Sequence, residues 1–456
     1  MNQVALGPAS TDLGAEARLR LQQYLRVDTT NPPGHEHAAA RLLASWLEAE
    51  GIAATVYEPA PGRANLVARL PGDGSLPPLM LLHHMDVVPA DADRWSHPAF
   101  SGHDEGGVLW GRGALDMKGL GIMQLVAFVE LKRRAANLAR DVIFCAVADE
   151  ETTSEYGARW LLEHHPDEIA ADDVWNEGSV GLLGPHGEHL FGIATAERGS
   201  LWVKVTAHGE PGHGSVDRPD SATRRLIRAL ARLEGPLHNL ELSVESQNTL
   251  RLLGQMQGGL EGWLLGNLHR PLMLRLFGPL IARKEPLLSS ILASTCNTTV
   301  LAAGSNVNVM PAQASALIDI RMLPGHGPDD ELAWLERTLG DPGLTFEVIE
   351  ARPPTRSASQ GPLYDAISDA LRAEYPGCAV EPIVTPTGTT DSAFFRLLGA
   401  RASGLLPIVA PLEQLKTMHG DDERITHDQI DRGTRVVVSA VRQAATARGS
   451  AKQQPF

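Results

Sequence analysis

PLMLLHHMDVVP, residues 78–89, decides how this chain is read. A continuous apolar run suits a strand covered on both faces. Two histidines and an aspartate then arrive at its end. A buried titratable side chain needs a partner. His84 and Asp86 are two residues apart, so in extended chain they face the same way, and His83 faces the other. Histidine is the commonest metal ligand and uses an acceptor to fix its tautomer, a part Asp86 can take. A hydrogen-bonded core histidine is the alternative, and this stretch alone leaves both open.

Working outward, DVIFCAVA (141–148) is a second continuous apolar run and NLVARL (65–70) a third strand pattern. Helical spacing covers residues 15–26, 37–50 and 118–134, with Gly51 as a stop. Such alternation points to an α/β domain with a mostly parallel sheet. The pattern changes near residue 199. SLWVKVTAHG (200–209) alternates apolar and polar, a helix-like stretch follows at 221–234, and residues 306–325 again read as strands. Residues 250–292 form an apolar stretch broken by Gly and Pro. The expected division is a catalytic domain, residues 1–198 and 323–456, interrupted by a smaller α+β lid at 199–322. The tail ARGSAKQQPF (447–456) reads as frayed.

Composition narrows the class. A chain of 456 residues, 43 % hydrophobic and 21 % charged, suits a globular protein of two or three domains. Its formal charge of −15 repels phosphate backbones, so nucleic acid is not an expected partner. Cys145, Cys296 and Cys378 are far apart and form no CxxC pair, so neither a disulfide framework nor a thiolate zinc site is indicated. Cys145, within VIFCAV, reads as buried filler. MNQVALGPASTDLG lacks the basic and apolar regions of a signal peptide, and no run approaches the ~18 apolar residues of a membrane span. A cytoplasmic protein is expected.

Four more stretches carry chemistry. LWGRGALDMKG (109–119) starts like a dinucleotide loop, but Asp116 stands where the last glycine belongs and no ribose-reading acid follows. The other reading is a turn that delivers Asp116 to a helix N-terminus, as a cap or as a ligand shared by two metals. VADEETT (147–153) places three acids together at a strand end, where they repel unless cations neutralise them. If a turn brings Glu150 and Glu151 together, one can bind metal while the other takes a proton from water. A solvated acidic loop is the alternative. WNEGS (175–179) offers Glu177 and TMHGDDERI (417–425) offers His419. Sites in open α/β sheets form beyond the carboxyl ends of strands. Nitrogen and oxygen donors without thiolate suit zinc, with cobalt or manganese as substitutes.

HxD, GRGxxDMKG, DEE, NEG and a late HG, in that order, resemble the dizinc exopeptidases and deacylases. That family includes glutamate carboxypeptidase, acetylornithine deacetylase, succinyl-diaminopimelate desuccinylase, aminoacylase and carboxypeptidase S. The resemblance spans roughly residues 15 to 445. It implies that His84 and Glu177 hold one zinc, Glu151 and His419 the other, and that Asp116 bridges them. Asp86 would orient His84, and Glu150 would be the general base. In GEPGHGSVDRP, His213 matches the histidine that reaches a partner subunit's site and steadies the oxyanion. Asn297 and Arg321 resemble substrate-side residues, Arg321 gripping a free carboxylate; a salt bridge between Arg321 and Asp319 is the alternative. Gly388 and Thr389 of TGTTDSAFF would offer backbone N–H groups to the same carboxylate. The chain departs from the pattern in three places: His83 crowds the ligand strand, DEETTSEYG replaces a glycine-rich continuation, and residues 240–295 enlarge the lid.

The resulting expectation is a homodimeric zinc hydrolase, dimerising through residues 199–322, that cuts an amide beside a free-carboxylate amino acid. A carboxypeptidase or dipeptidase is preferred over an N-acyl-amino-acid deacylase. A catalytically silent metal-binding scaffold is the reading from another class. A serine hydrolase is disfavoured because no GxSxG elbow occurs.

Overall fold

The computed structural model describes residues 12–234, 238–385 and 388–446. The tail at 447–456 and the first eleven residues lie outside the described residues. Helices start where local chemistry favours it. Asp12 accepts from the Ala15 N–H at 3.1 Å to cap the first helix, Leu13–Leu25. Pro271, Pro328 and Pro362 each open a helix at the position where a missing N–H costs nothing.

The expected α/β architecture is present. The main sheet runs in the order Ala54–Ala60, Arg63–Leu70, Val142–Val147, Leu79–His84, Asp173–Leu183, Arg401–Val409 and His189–Glu197. Thr355–Arg356 and Ala379–Thr385 both pair with the last of these. The middle is parallel: Leu79–His84 runs with both its neighbours, and Arg401–Val409 runs with Asp173–Leu183. Antiparallel pairs occupy the flanks.

Every residue of Leu79–His84 and Val142–Val147 is buried, because helices cover both sheet faces. Leu79, Leu81, Phe144 and Ala146 join the core under Lys118–Arg133 and His427–Thr446. Met80, Leu82, Ile143 and Val147 join the core on the other side, with Leu161 and Phe395. Cys145 is buried filler there, as expected, and burial raises its thiol pKa.

The smaller sheet is antiparallel, in the order Thr295–Ala303, Gln313–Met322, Gly199–His208, Leu344–Arg352. Leu201, Val203, Val205 and Ala207 alternate inward against Leu226 and Leu335. Here the expected boundary at residue 322 is corrected. Helix Pro328–Leu339 contributes Leu335 and Leu339 to this core, and Leu344–Arg352 pairs along Gly199–His208. The unit therefore continues to about residue 352. The sequence resumed helix–strand alternation after 322, and alternation alone does not say which sheet a strand joins.

The Gly- and Pro-broken stretch folds as four helices: Val244–Gln257, Gly259–Gly266, Pro271–Lys284 and Pro286–Leu292. The first lies on the main sheet, with Leu252 and Met256 against Leu190 and Ile383.

One buried ion cluster locks the opening of the Asp173–Leu183 strand. Asp173 accepts from Arg140 Nη1 at 2.7 Å and from Arg401 Nε at 2.8 Å, and Arg140 is fully buried. Removing the carboxylate strands a buried cation. Asp173→Ala is expected to cost about 3–5 kcal/mol, read as a lower midpoint in denaturant unfolding, with Asp173→Asn costing less.

Candidate metal centre

Two strand ends, the interior of a third strand and two loops bring the expected donors together. His84 ends its strand with its ring set by its own neighbourhood: Nδ1–H donates to the Asp86 carbonyl oxygen at 2.9 Å. That leaves Nε2 facing Asp116 Oδ1 at 3.1 Å and Glu177 Oε1 at 3.5 Å. Asp86 was expected to orient His84 through its carboxylate, which lies 3.6 Å from Nδ1. The closer acceptor is the Asp86 main chain. The buried carboxylate instead accepts from the Glu150 N–H at 3.2 Å, the Glu151 N–H at 3.1 Å and Asn31 Nδ2 at 2.8 Å.

Those bonds form the turn that Glu150 and Glu151 require. Asp149 starts it in the left-handed region, φ 68°, a conformation costly for a non-glycine residue and held only by surrounding contacts. The contacts are present: Arg63 Nη2 donates to Asp149 Oδ1 at 2.8 Å and the Ser154 N–H to Asp149 O at 2.7 Å. The acidic run is thus a folded turn, with Glu151 pointing at His419.

Asp116 sits just before helix Lys118–Arg133, at the end of the GRG turn. Its two carboxylate oxygens face different groups. Oδ1 meets His84, while Oδ2 meets His419 Nε2 at 2.9 Å. His419 Nε2 also lies 3.2 Å from Glu151 Oε2. Two donor trios result, His84–Asp116–Glu177 and Asp116–Glu151–His419, each with its ligand atoms within 4.8 Å of one another. Glu177 reaches its place because Gly404 lets two strands close up; a Cβ there would lie 2.2 Å from the Glu177 carbonyl oxygen.

The electrostatics are those of too many acids for the cations present. Burial and the Asp116 charge push Glu177 up to about 8. Burial and Glu177 push Glu150 well above the usual carboxylate range. Burial opposes ionisation of Asp116, but hydrogen bonds from His419 and His84 overcome it and hold its pKa low. Hydrogen bonds to Asp116 and Glu151 raise His419 to about 10. Glu151 Oε1 is buried without a hydrogen-bond partner. Oxygen and nitrogen donors in this excess fit divalent cations.

A model of peptidase family M20/M25/M40 matches residues 80–443. The chain belongs to this family. Membership implies divalent-metal binding, which the two trios fit. The M20 chain is 28 % identical to a probable carboxypeptidase S-like 2 of Dictyostelium discoideum, over 90 % of this chain and 76 % of that one. It is 28 % identical to the human N-fatty-acyl-amino acid synthase/hydrolase PM20D1, over 82 % and 75 %. Its fold matches the M20 family metallo-carboxypeptidase Sso-CP2 from Sulfolobus solfataricus, with a TM-score of 0.70 and 20 % identity, over 95 % of this chain and 100 % of that one.

The remaining expected residues of this M20 chain lie elsewhere. Thr389 lines a cavity of about 470 Å³ that also includes Glu150, Thr390 and Arg352. Its hydroxyl donates to the Arg198 carbonyl at 2.9 Å. Gly388 has open space beside its Cα. His213 is exposed, on a two-residue strand paired with Val309–Met310, and its Nδ1 lies 2.8 Å from Ser215 Oγ. Asn297 is exposed opposite Asp319 on the smaller sheet. Arg321 donates to Asp319 at 2.9 and 3.2 Å, so the salt bridge left open above is formed.

His83 faces away from His84, as the alternation along the strand predicted. It points to the opposite sheet face, where burial lowers its pKa to about 3 and leaves it neutral. Gly121 makes the room; a Cβ there would sit 2.4 Å from the His83 ring. A third donor group, His97, His103 and Glu105, lies on the surface, its two imidazoles stacked with centroids 3.9 Å apart.

Sequence reading missed the residue that holds the Asp116 turn. Glu423 is fully buried and accepts from the N–H groups of Gly113 at 3.0 Å, Leu115 at 2.7 Å and Asp116 at 3.1 Å, and from Arg112 at 2.8 Å. It lies in the same HGDDERI stretch as His419, but nothing local distinguishes it from Asp421 and Asp422. Glu423→Gln puts a donor against those N–H groups. Metal affinity is expected to fall about 10–100-fold, as for other supports of a ligand, read by competition with a chromogenic chelator, while the far-UV spectrum stays native.

Proposed function

We propose that this chain is a dizinc amidohydrolase that releases an amino acid with a free carboxylate. The observation that carries the reading is the division of Asp116, one carboxylate oxygen toward each trio. On this reading His84, Asp116 and Glu177 hold one ion, and Asp116, Glu151 and His419 the other, with Co²⁺ or Mn²⁺ as substitutes. A divalent pair so held would polarise the scissile carbonyl and make water acidic enough to attack at neutral pH.

The chain's own residues do the rest. Glu150 is free of both trios and lines the adjoining cavity. Its carboxylate takes a proton from the attacking water and returns it to the leaving amine, a function worth ~10²–10⁴ in rate. Asp86 fixes Glu150 and Glu151 by accepting from both amides. Gly388 and Thr389 sit where the substrate's carboxylate is held, and Arg321 joins them once it leaves Asp319. His213 and Asn297 serve a homodimer built through the smaller domain, each His213 donating to the oxyanion in the other copy's site. These last roles rest on the family resemblance.

The acyl side is first read as peptidyl. An N-acyl group is the second reading, favoured by an apolar cavity of about 640 Å³ within the lid helices and by the activity in the human relative's name. Dipeptides and N-acetyl and long-chain N-acyl amino acids, assayed side by side, separate the two. Turnover of the acylated set alone overturns the peptidase reading.

Two outcomes test the chemistry. Glu150→Gln is expected to lose ~10²–10⁴ in turnover while its metal content, measured by elemental analysis, stays that of the parent. Dialysis against a strong chelator is expected to abolish hydrolysis, and added zinc to restore it. Activity that survives the chelator sinks the proposal.

A further inference from the structure

Helix Pro271–Lys284 reads PLMLRLFGPLIARK, with three basic side chains and no acid, in a chain of net charge −15. Its inner face packs Leu274, Phe277, Ile281 and Ala282 into a separate small core with Leu250 and Leu268. Its outer face is apolar as well. Leu272, Leu276 and Leu280 recur every four residues and are 68, 55 and 58 % exposed. At 100° per residue, Arg275 and Arg283 stand on that same face, and both are exposed. The preceding helix, Gly259–Gly266, adds Leu260 at 80 % and Trp263 at 55 % exposure.

Leucines exposed singly need no explanation, but a row of three along one helix face marks a contact surface. The arginines among them define the contact. An interfacial helix combines an apolar stripe with basic side chains, so that one enters the acyl boundary while the other meets anionic headgroups. Tryptophan favours that headgroup level. A second copy of the chain is a poorer occupant. A two-fold contact brings the same surface against itself; the helix itself has no carboxylate, and the nearby Glu261 and Glu285, beside the lid cavity, are two acids against the three bases Arg275, Arg283 and Lys284.

We propose that this face docks the protein on an anionic lipid surface. The inference goes beyond the hydrolase reading and does not depend on the metal centre. The acidic remainder of the protein turns away from such a surface, which gives the docked molecule one orientation. Docking is peripheral, since no helix among the described residues is long and apolar enough to cross a membrane. The lid cavity, lined by Leu253, Met256, Leu264, Leu265, Phe277 and Ile281, reaches this face through Leu280 and Lys284, which border both. It offers apolar room for an acyl chain.

The test is co-sedimentation of the full chain with vesicles of phosphatidylcholine plus phosphatidylglycerol, against pure phosphatidylcholine vesicles. Binding to the anionic vesicles is expected, weakening as salt is added. Arg275→Glu/Arg283→Glu and, separately, Leu272→Ser/Leu276→Ser are each expected to lower partitioning at least about tenfold. Both pairs are exposed, so thermal melting and mass by light scattering should match the parent. A parent chain that ignores anionic vesicles, or variants that bind as it does, overturns the proposal. So does a lower mass in the variants without vesicle binding by the parent, since the face would then join two copies.

Discussion

Mutual repulsion among buried carboxylates is the constraint on which this structure turns. Asp116, Glu150, Glu151 and Glu177 crowd one site against only two imidazoles, and burial raises the cost of each charge. Such a cluster persists where cations complete it and where the backbone holds each acid in place beforehand. The scaffold supplies that second requirement with further buried acids. Asp86 accepts from the amides of the acidic turn, and Glu423 accepts from the amides before and at Asp116. Acids that take no place among the donors thus aim the acids that do.

The sheet explains why these groups meet. Parallel neighbours end on the same side, so Leu79–His84, Val142–Val147 and Asp173–Leu183 send their following residues to one edge. Leu79–Leu82 and Val142–Val147 are apolar on both faces and tolerate little else. Chemistry is therefore confined to the residues just past their ends or to a local opening such as Glu177, where Gly404 lets the strands approach closely. The antiparallel smaller sheet has one wet face, which carries Asn297, Asp319 and Arg321. Polar side chains and a dry core can coexist there because side chains alternate.

Much of this was legible in the chain. The continuous runs at 78–84 and 141–148 predicted covered strands, and both are buried throughout apart from their first residues. Period-two alternation predicted the half-wet strand at 200–209. The opposite facing of His83 and His84 followed from strand geometry alone. What failed had a common cause. The lid boundary at 322 failed because Leu344–Arg352 pairs with a strand more than a hundred residues earlier. The room that His83 needs on the ligand strand was likewise not legible, because Gly121, on a helix, vacates it. Glu423 was invisible because its partners lie some three hundred residues away.

The sequence by itself determined the periodicities, the strand ends, the acid-rich turn and the kinds of donor on offer, since these depend on neighbours within a few residues. Only the tertiary structure decided which donors share an ion's space, which oxygen of Asp116 faces which histidine, and that Arg321 is held by Asp319 while Arg140 and Arg401 share Asp173. Those outcomes are set by side-chain packing and charge pairing between distant segments. Residue order does not express such distances until a sheet and its covering helices close them.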